Sequence, residues 1–151
     1  MISGYRYLFC TALIIGILTA CSKSGSGTAQ DNSGGSGGDP HTYSPTDTTA
    51  PVLDIFTPAA NQVFTNGNVI SVTGKIADDL GLYQGSIRIT NDANGDVLKQ
   101  QLYEIHGILS YNFNIDYTTA VAVPSDYTVT VTFNDHGLNA TTKSVKVKVN
   151  P

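Results

Sequence analysis

Between Leu109 and Tyr117 apolar and polar side chains alternate without a break, with Leu109, Tyr111, Phe113, Ile115 and Tyr117 separated by Ser110, Asn112, Asn114 and Asp116. A period of two sends successive side chains to opposite faces of an extended chain, so this stretch predicts a strand with one buried and one solvated face. A helix would scatter the same apolar set around its circumference. Tyr127, Val129, Val131 and Phe133 interleave with Thr128, Thr130 and Thr132 in the same way, and Val145, Val147 and Val149 interleave with Lys146 and Lys148. Strands of this kind need a second layer against which to bury their apolar faces.

Weaker strand patterns run over Val52 to Phe56, Val69 to Ala77, Leu82 to Thr90 and Val97 to Ile105. Turn residues punctuate them: Asn66-Gly67, Asp79-Leu80-Gly81, Asn94-Gly95, His106-Gly107, Pro124-Ser125-Asp126 and His136-Gly137. Charged residues are only 13% of the chain and tryptophan is absent, a composition that suits strands better than solvent-exposed helices. Seven strands separated by turns over residues 47–151 predict an all-β chain end, a seven-stranded β-sandwich.

Val123-Pro124-Ser125-Asp126-Tyr127 resembles the tyrosine corner of immunoglobulin-like sandwiches, which makes Tyr127 a structural tyrosine whose hydroxyl ties the preceding loop. The run from Asp47-Thr48-Thr49-Ala50-Pro51 through Ile76-Ala77-Asp78-Asp79 to Phe133-Asn134-Asp135-His136-Gly137-Leu138-Asn139 is similar to the bacterial Ig-like repeats of surface proteins and short lipoproteins. It departs from the commoner ending Asp-x-Ala-Gly-Asn, having His136-Gly137-Leu138-Asn139 after Asp135.

Ahead of this domain the chain has a different character. Arg6 is followed by an apolar stretch from Leu8 to Leu18, too short at about 16 Å of helix to span a bilayer. It suits the apolar region of an export signal. Leu18-Thr19-Ala20-Cys21 resembles the lipobox of bacterial lipoproteins, which implies removal of residues 1–20 and lipidation of Cys21, palmitate included. Two or more acyl chains give stable membrane attachment, since each buried methylene contributes about 0.8 kcal/mol. Ser22, rather than an acidic residue, follows the cysteine, which points to the outer membrane of a Gram-negative cell envelope. Residues 21–46 then form a tether rich in Gly and Ser, including Ser33-Gly34-Gly35-Ser36-Gly37-Gly38, without the apolar content to build a core. Asp47-Thr48-Thr49 at its end also resembles a short O-glycosylation acceptor.

The chain has 8 basic and 12 acidic side chains, and Arg6 is the one charge in the leader, so residues 21–151 carry 7 against 12, a net of −5. That surface gives nucleic-acid phosphates no electrostatic hold. Cys10 and Cys21 both lie outside the sandwich, which therefore has no disulfide.

If the seven strands alternate up and down, the start of the first strand and every second loop share one pole. Asp47, Asp78, Asp79, His106 and Asp135 then gather there. Oxygen donors converging from separate loops suit a hard cation, so Asp47, Asp78, Asp79 and Asp135 form a candidate calcium site. The alternative is turn chemistry, in which each aspartate serves nearby backbone amides. His106 and His136 with Asp135 form a second candidate, for a softer metal, and Tyr83 with Tyr103 a candidate sugar-stacking platform. Asp92-Ala93-Asn94-Gly95-Asp96 opens like an EF-hand loop, but Val97 and Tyr103 stand where that loop needs glycine and glutamate, so a hairpin turn is expected. The sequence shows no nucleophile elbow, zinc motif or phosphate loop, and Glu104 is its one glutamate. The expectation is a membrane-tethered, non-enzymatic Ig-like binding or adhesion module with an envelope protein or polysaccharide as partner. The alternatives are a passive spacer or scaffold of an envelope assembly, and a hydrolase using the loop carboxylates.

Overall fold

The computed structural model describes residues Pro45–Pro151, and the alternating segments become its longest strands. In chain order the strands are β1 (Val52–Thr57), β2 (Val63–Thr65), β3 (Val69–Ala77), β4 (Leu82–Asn91), β5 (Val97–Glu104), β6 (Ser110–Thr118), β7 (Ser125–Asp135) and β8 (Ala140–Asn150). The signal, lipidation and tether assignments on residues 1–44 lie outside the described residues. Among the described residues there is no helix.

Two sheets form, of order β1-β3-β6 and β2-β8-β7-β4-β5. All pairings are antiparallel except β2 with β8, which run parallel. This is an immunoglobulin-like β-sandwich with the seven expected strands and one more. The addition, β2, is three residues long and seats Phe64 opposite Val149 of β8. Strand β6 starts one residue later than its alternation suggests, at Ser110, which leaves Leu109 in the preceding loop with 57% of its surface exposed.

The core lies between the facing sheets. Phe113 of β6 stacks on Phe133 of β7 with ring centroids 5.6 Å apart, joining the two layers at their centre. Ile70, Val72 and Ile76 of β3 and Ile87 and Ile89 of β4 are fully buried around this pair. Each such side chain contributes about 1.5–3 kcal/mol by leaving water. Gly85 makes room for Phe133: a Cβ there would lie 2.0 Å from the ring's Cδ1, so only a residue without one fits on that inner face. Among the described residues the buried core side chains run from Leu53 to Val149.

Tyr127, the third residue of β7, is buried and meets the Tyr117 ring edge-on at 6.3 Å. Burial foremost, then Tyr117 beside it, pushes the Tyr127 phenol above its ordinary value. Residues 91–96 form the hairpin turn between β4 and β5, with Gly95 at φ +77°. Here Thr128 and Lys146 bond the Asp92 carboxylate and hold it below the usual range.

Candidate metal centre

Strand direction decides which loops meet. β1 begins, β3 ends, β6 begins and β7 ends at one pole, so residues 45–51, 78–81, 105–109 and 136–139 cluster there. Main-chain bonds stitch these loops together: Asp78 N–H to Leu109 O (2.9 Å), Leu82 N–H to Ile108 O (2.9 Å) and His136 N–H to Gly81 O (3.2 Å). Gly81 and Gly107 both have positive φ, and a Cβ on Gly81 would stand 3.3 Å from Gly107 Cα.

The carboxylates of Asp47, Asp78 and Asp135 converge at this pole, each offering an oxygen within 4.8 Å of the others. Asp135 ends β7 and is completely buried, and Asp47 is 5% exposed. The three are held differently. Asp135 Oδ1 accepts the Asn139 N–H (2.9 Å) and Oδ2 accepts Asn139 Nδ2–H (2.9 Å). Asp78 Oδ2 accepts the N–H groups of Leu80 (3.0 Å) and Gly81 (2.7 Å), capping its turn. Asp47 Oδ1 accepts the Thr49 N–H (3.1 Å). The other oxygens of two of them, Asp47 Oδ2 and Asp78 Oδ1, are buried and find no donor. Turn chemistry therefore explains half of the Asp47 and Asp78 carboxylates and leaves the other half of each without a partner, whereas Asn139 serves both oxygens of Asp135.

Among the described residues no lysine forms an ion pair with the cluster. Lys143 pairs with Asp54, Lys146 with Asp92 and Lys148 with Asp126 instead. Three like charges thus face one another in a desolvated place, an arrangement that demands compensation. Oxygens up to 4.8 Å apart suit one calcium ion, since ligands at about 2.3–2.6 Å on opposite sides of it stand about 4.6–5.2 Å apart. Magnesium, with ligands at about 2.0–2.1 Å, would need a tighter ring.

Asn139 was not singled out in the sequence, yet it organises the site. Besides bonding Asp135, its Nδ2 donates to the Asp47 carbonyl (3.1 Å). The departure from Asp-x-Ala-Gly-Asn leaves Asp135 and Asn139 in place and falls on the two residues before Asn139. Gly137 lies beneath Asp47, where a Cβ would stand 2.6 Å from the Asp47 carbonyl oxygen. Leu138 adopts φ +64°, a left-handed conformation that the glycine of the commoner pattern accepts without strain.

Asp79 stands outside the cluster. Its side chain is exposed and borders a shallow groove of about 320 Å³ shared with Thr49, Ala50, Val52, Ala77 and Asp78. His106 and His136 do meet at the same pole, with ring centroids 5.7 Å apart and Tyr83 4.9 Å from each. His106 Nε2 lies 3.2 Å from Glu104 Oε2, while Asp135 turns to Asn139 instead of to the histidines. Tyr103 does not join Tyr83 in a platform. It faces the core between Tyr111 (5.7 Å) and Phe133 (5.6 Å), with its hydroxyl buried and unbonded. Burial, with Tyr111 beside it, pushes the Tyr103 phenol up to about 12.

No family model matches the chain, and no curated protein does. Solved structures do resemble it. Fibronectin(III)-like modules of CbhA from Clostridium thermocellum share 20% identity at a TM-score of 0.42, over 66% of this chain and 46% of that one. A CARDB domain from Pyrococcus furiosus, solved in complex with di-metal ions, shares 15% over 67% of this chain and 94% of its own, at 0.39. A chitin-binding domain from Burkholderia pseudomallei shares 10% over 60% and 56%, at 0.37. The chain spans less than half the length of the Clostridium structure.

Proposed function

We propose that this protein is a lipid-anchored, non-enzymatic lipoprotein of the bacterial cell envelope whose Ig-like domain is closed by one calcium ion and serves as a binding module. The observation that carries the calcium reading is the pair of buried, donorless oxygens on Asp47 and Asp78, beside the buried carboxylate of Asp135. A cation supplies what both oxygens lack and cancels the repulsion among the three groups. The ion is structural: Asp135 is fully buried and Asp47 nearly so, which closes two of the three carboxylates to a substrate. The same burial argues against a hydrolase using them, because a general acid or base must come within hydrogen-bond reach of its substrate.

The anchoring part rests on Leu18-Thr19-Ala20-Cys21, and the binding part on a rigid sandwich that presents loops from a fixed frame. An envelope protein or a polysaccharide is the proposed partner. Thermal unfolding of residues 21–151 in calcium, in magnesium and in chelator tests the ion. A calcium-specific rise of about 10 °C or more at saturating ion is expected, since about 100-fold excess over Kd contributes about 2.7 kcal/mol. Equal midpoints in all three would overturn it. Palmitate labelling of the full chain against Cys21→Ser tests the anchor, and labelling that survives the substitution refutes it.

A further inference from the structure

The geometry points to a second copy of this chain as a partner, joined edge to edge through β5 across a twofold axis at Leu102. Among the described residues β5 ends its sheet and pairs with β4 alone. The N–H of Ile105 donates to the carbonyl of Tyr83 (3.0 Å), and the register that follows pairs Gly85 with Tyr103 and Ser86 with Leu102. In an antiparallel ladder, residues alternate between turning their main-chain groups toward one neighbour and toward the other. Tyr103 and Gln101 therefore bond β4, while Gln100, Leu102 and Glu104 turn their N–H and C=O groups to the open edge. The Leu102 carbonyl accordingly accepts a bond from the Gln101 side-chain amide (2.8 Å), a group at the edge and not on β4, which a Leu102 N–H from a second copy would join or displace.

Natural edge strands are usually blunted by prolines, bulges, short length or a cover. β5 spans Val97–Glu104 without proline; its register against β4 shifts between Val97 and Lys99, and from Gln100 to Glu104 it is unbroken. Leu102 sits in the middle of the outward row with 63% of its surface exposed, on a face otherwise filled by polar side chains.

A twofold axis perpendicular to the sheet keeps each face on its own side only if paired positions have the same parity. Of the registers that meet this condition, the one with Leu102 against Leu102 of the second copy, and Gln100 against Glu104, brings the two exposed leucines together. That register is complementary to itself. The two exposed leucines cover each other, and each Gln100 amide meets a Glu104 carboxylate, whose Oε2 faces His106 within its own chain. Register shifts of two residues in either direction lose the leucine pair. The calcium site lies at the pole and is not involved, so this inference stands or falls separately from it.

Residues 21–151 with Cys21→Ser contain no thiol, which allows the register to be read by cross-linking. Directly opposed residues of a hydrogen-bonded antiparallel pair have Cα atoms about 5.5 Å apart, within the range a disulfide spans. Under mild oxidation Leu102→Cys is expected to give a covalent dimer at least tenfold faster than Leu138→Cys, at an exposed position in the turn between β7 and β8. Gln100→Cys and Glu104→Cys are each expected to be slow alone and fast when combined in one chain. Sedimentation equilibrium of the unsubstituted domain provides a second reading, with Leu102→Asp expected to weaken self-association at least tenfold. A domain that stays monomeric to millimolar concentration, or thiols at 102 and 138 that couple at the same rate, would overturn the proposal.

Discussion

Asp78→Asn separates a cation site from a set of turn caps by reversing sign between two buffers. The amide keeps an oxygen for the Leu80 and Gly81 N–H groups and puts an N–H₂ where the donorless Oδ1 now stands, facing the other carboxylates. Three charges within 4.8 Å of one another repel by about 3.5 kcal/mol per pair at an effective dielectric near 20. Losing Asp78 removes two of the three pairs, about 7 kcal/mol before screening if all three are ionised. Loop relaxation and the partial exposure of Asp78 reduce this to about 1–3 kcal/mol of real gain. In chelator the variant should therefore melt about 5–15 °C above the parent, at about 4–8 °C per kcal/mol for a domain of this size. In calcium the order should close or invert, because the parent gains about 2.7 kcal/mol at a hundredfold excess of ion and the variant gains far less. Differential scanning calorimetry in the two buffers measures both. A variant less stable than the parent by the same margin in each would show that Asp78 is only a cap, and the cation reasoning would fail.

Gly137→Ala forces a methyl against the Asp47 carbonyl and should cost about 1–3 kcal/mol while shrinking the calcium response, read by the same melts; an unchanged midpoint and response would mean that residues 45–50 shift freely. Leu138→Gly relieves a left-handed leucine that is 63% exposed, and should stabilise by up to about 1 kcal/mol in urea unfolding, whereas a clear loss would show that this side chain packs on something. Tyr103→Phe removes a buried hydroxyl without a partner and should be neutral or stabilising near pH 7, so a loss above about 1 kcal/mol would reveal a bond to that hydroxyl. The pH dependence follows from the folded phenol standing at about 12 against 10.0. Its contribution is complete below pH 10 and is lost as pH rises toward 12, so Tyr103→Phe should flatten the alkaline fall of stability, and identical alkaline curves would contradict the assigned burial.

The long strands were legible because each buries a single face. Leu109 to Tyr117 and Tyr127 to Phe133 carry that asymmetry in every second residue, and Val69–Ala77 falls where the turn residues place it. The three-residue β2 was not legible, since its position comes from pairing with β8, more than eighty residues later in the chain. At the pole, loop parity alone brought Asp47, Asp78 and Asp135 together. It could not choose between Asp78 and Asp79, neighbours in one turn whose side chains diverge only after the turn closes on Leu80 and Gly81. Asn139 was marked only by its match to the last residue of Asp-x-Ala-Gly-Asn, and its role shows once its amide lies between Asp135 and Asp47. Tyr103 misled for a related reason: strand parity fixes the face of a tyrosine only after the register with Gly85 is known.

Asn139 reaches back 92 residues to Asp47, closing nearly the whole domain into a ring. A ring of that size forms late, after the shorter loops between neighbouring strands have closed. A fragment that stops short of the end of β7 lacks Asp135, so a cation would find the full set of carboxylates only once β7 is in place. Its capture would mark the finished domain, and a protein truncated by even one hairpin should remain indifferent to calcium.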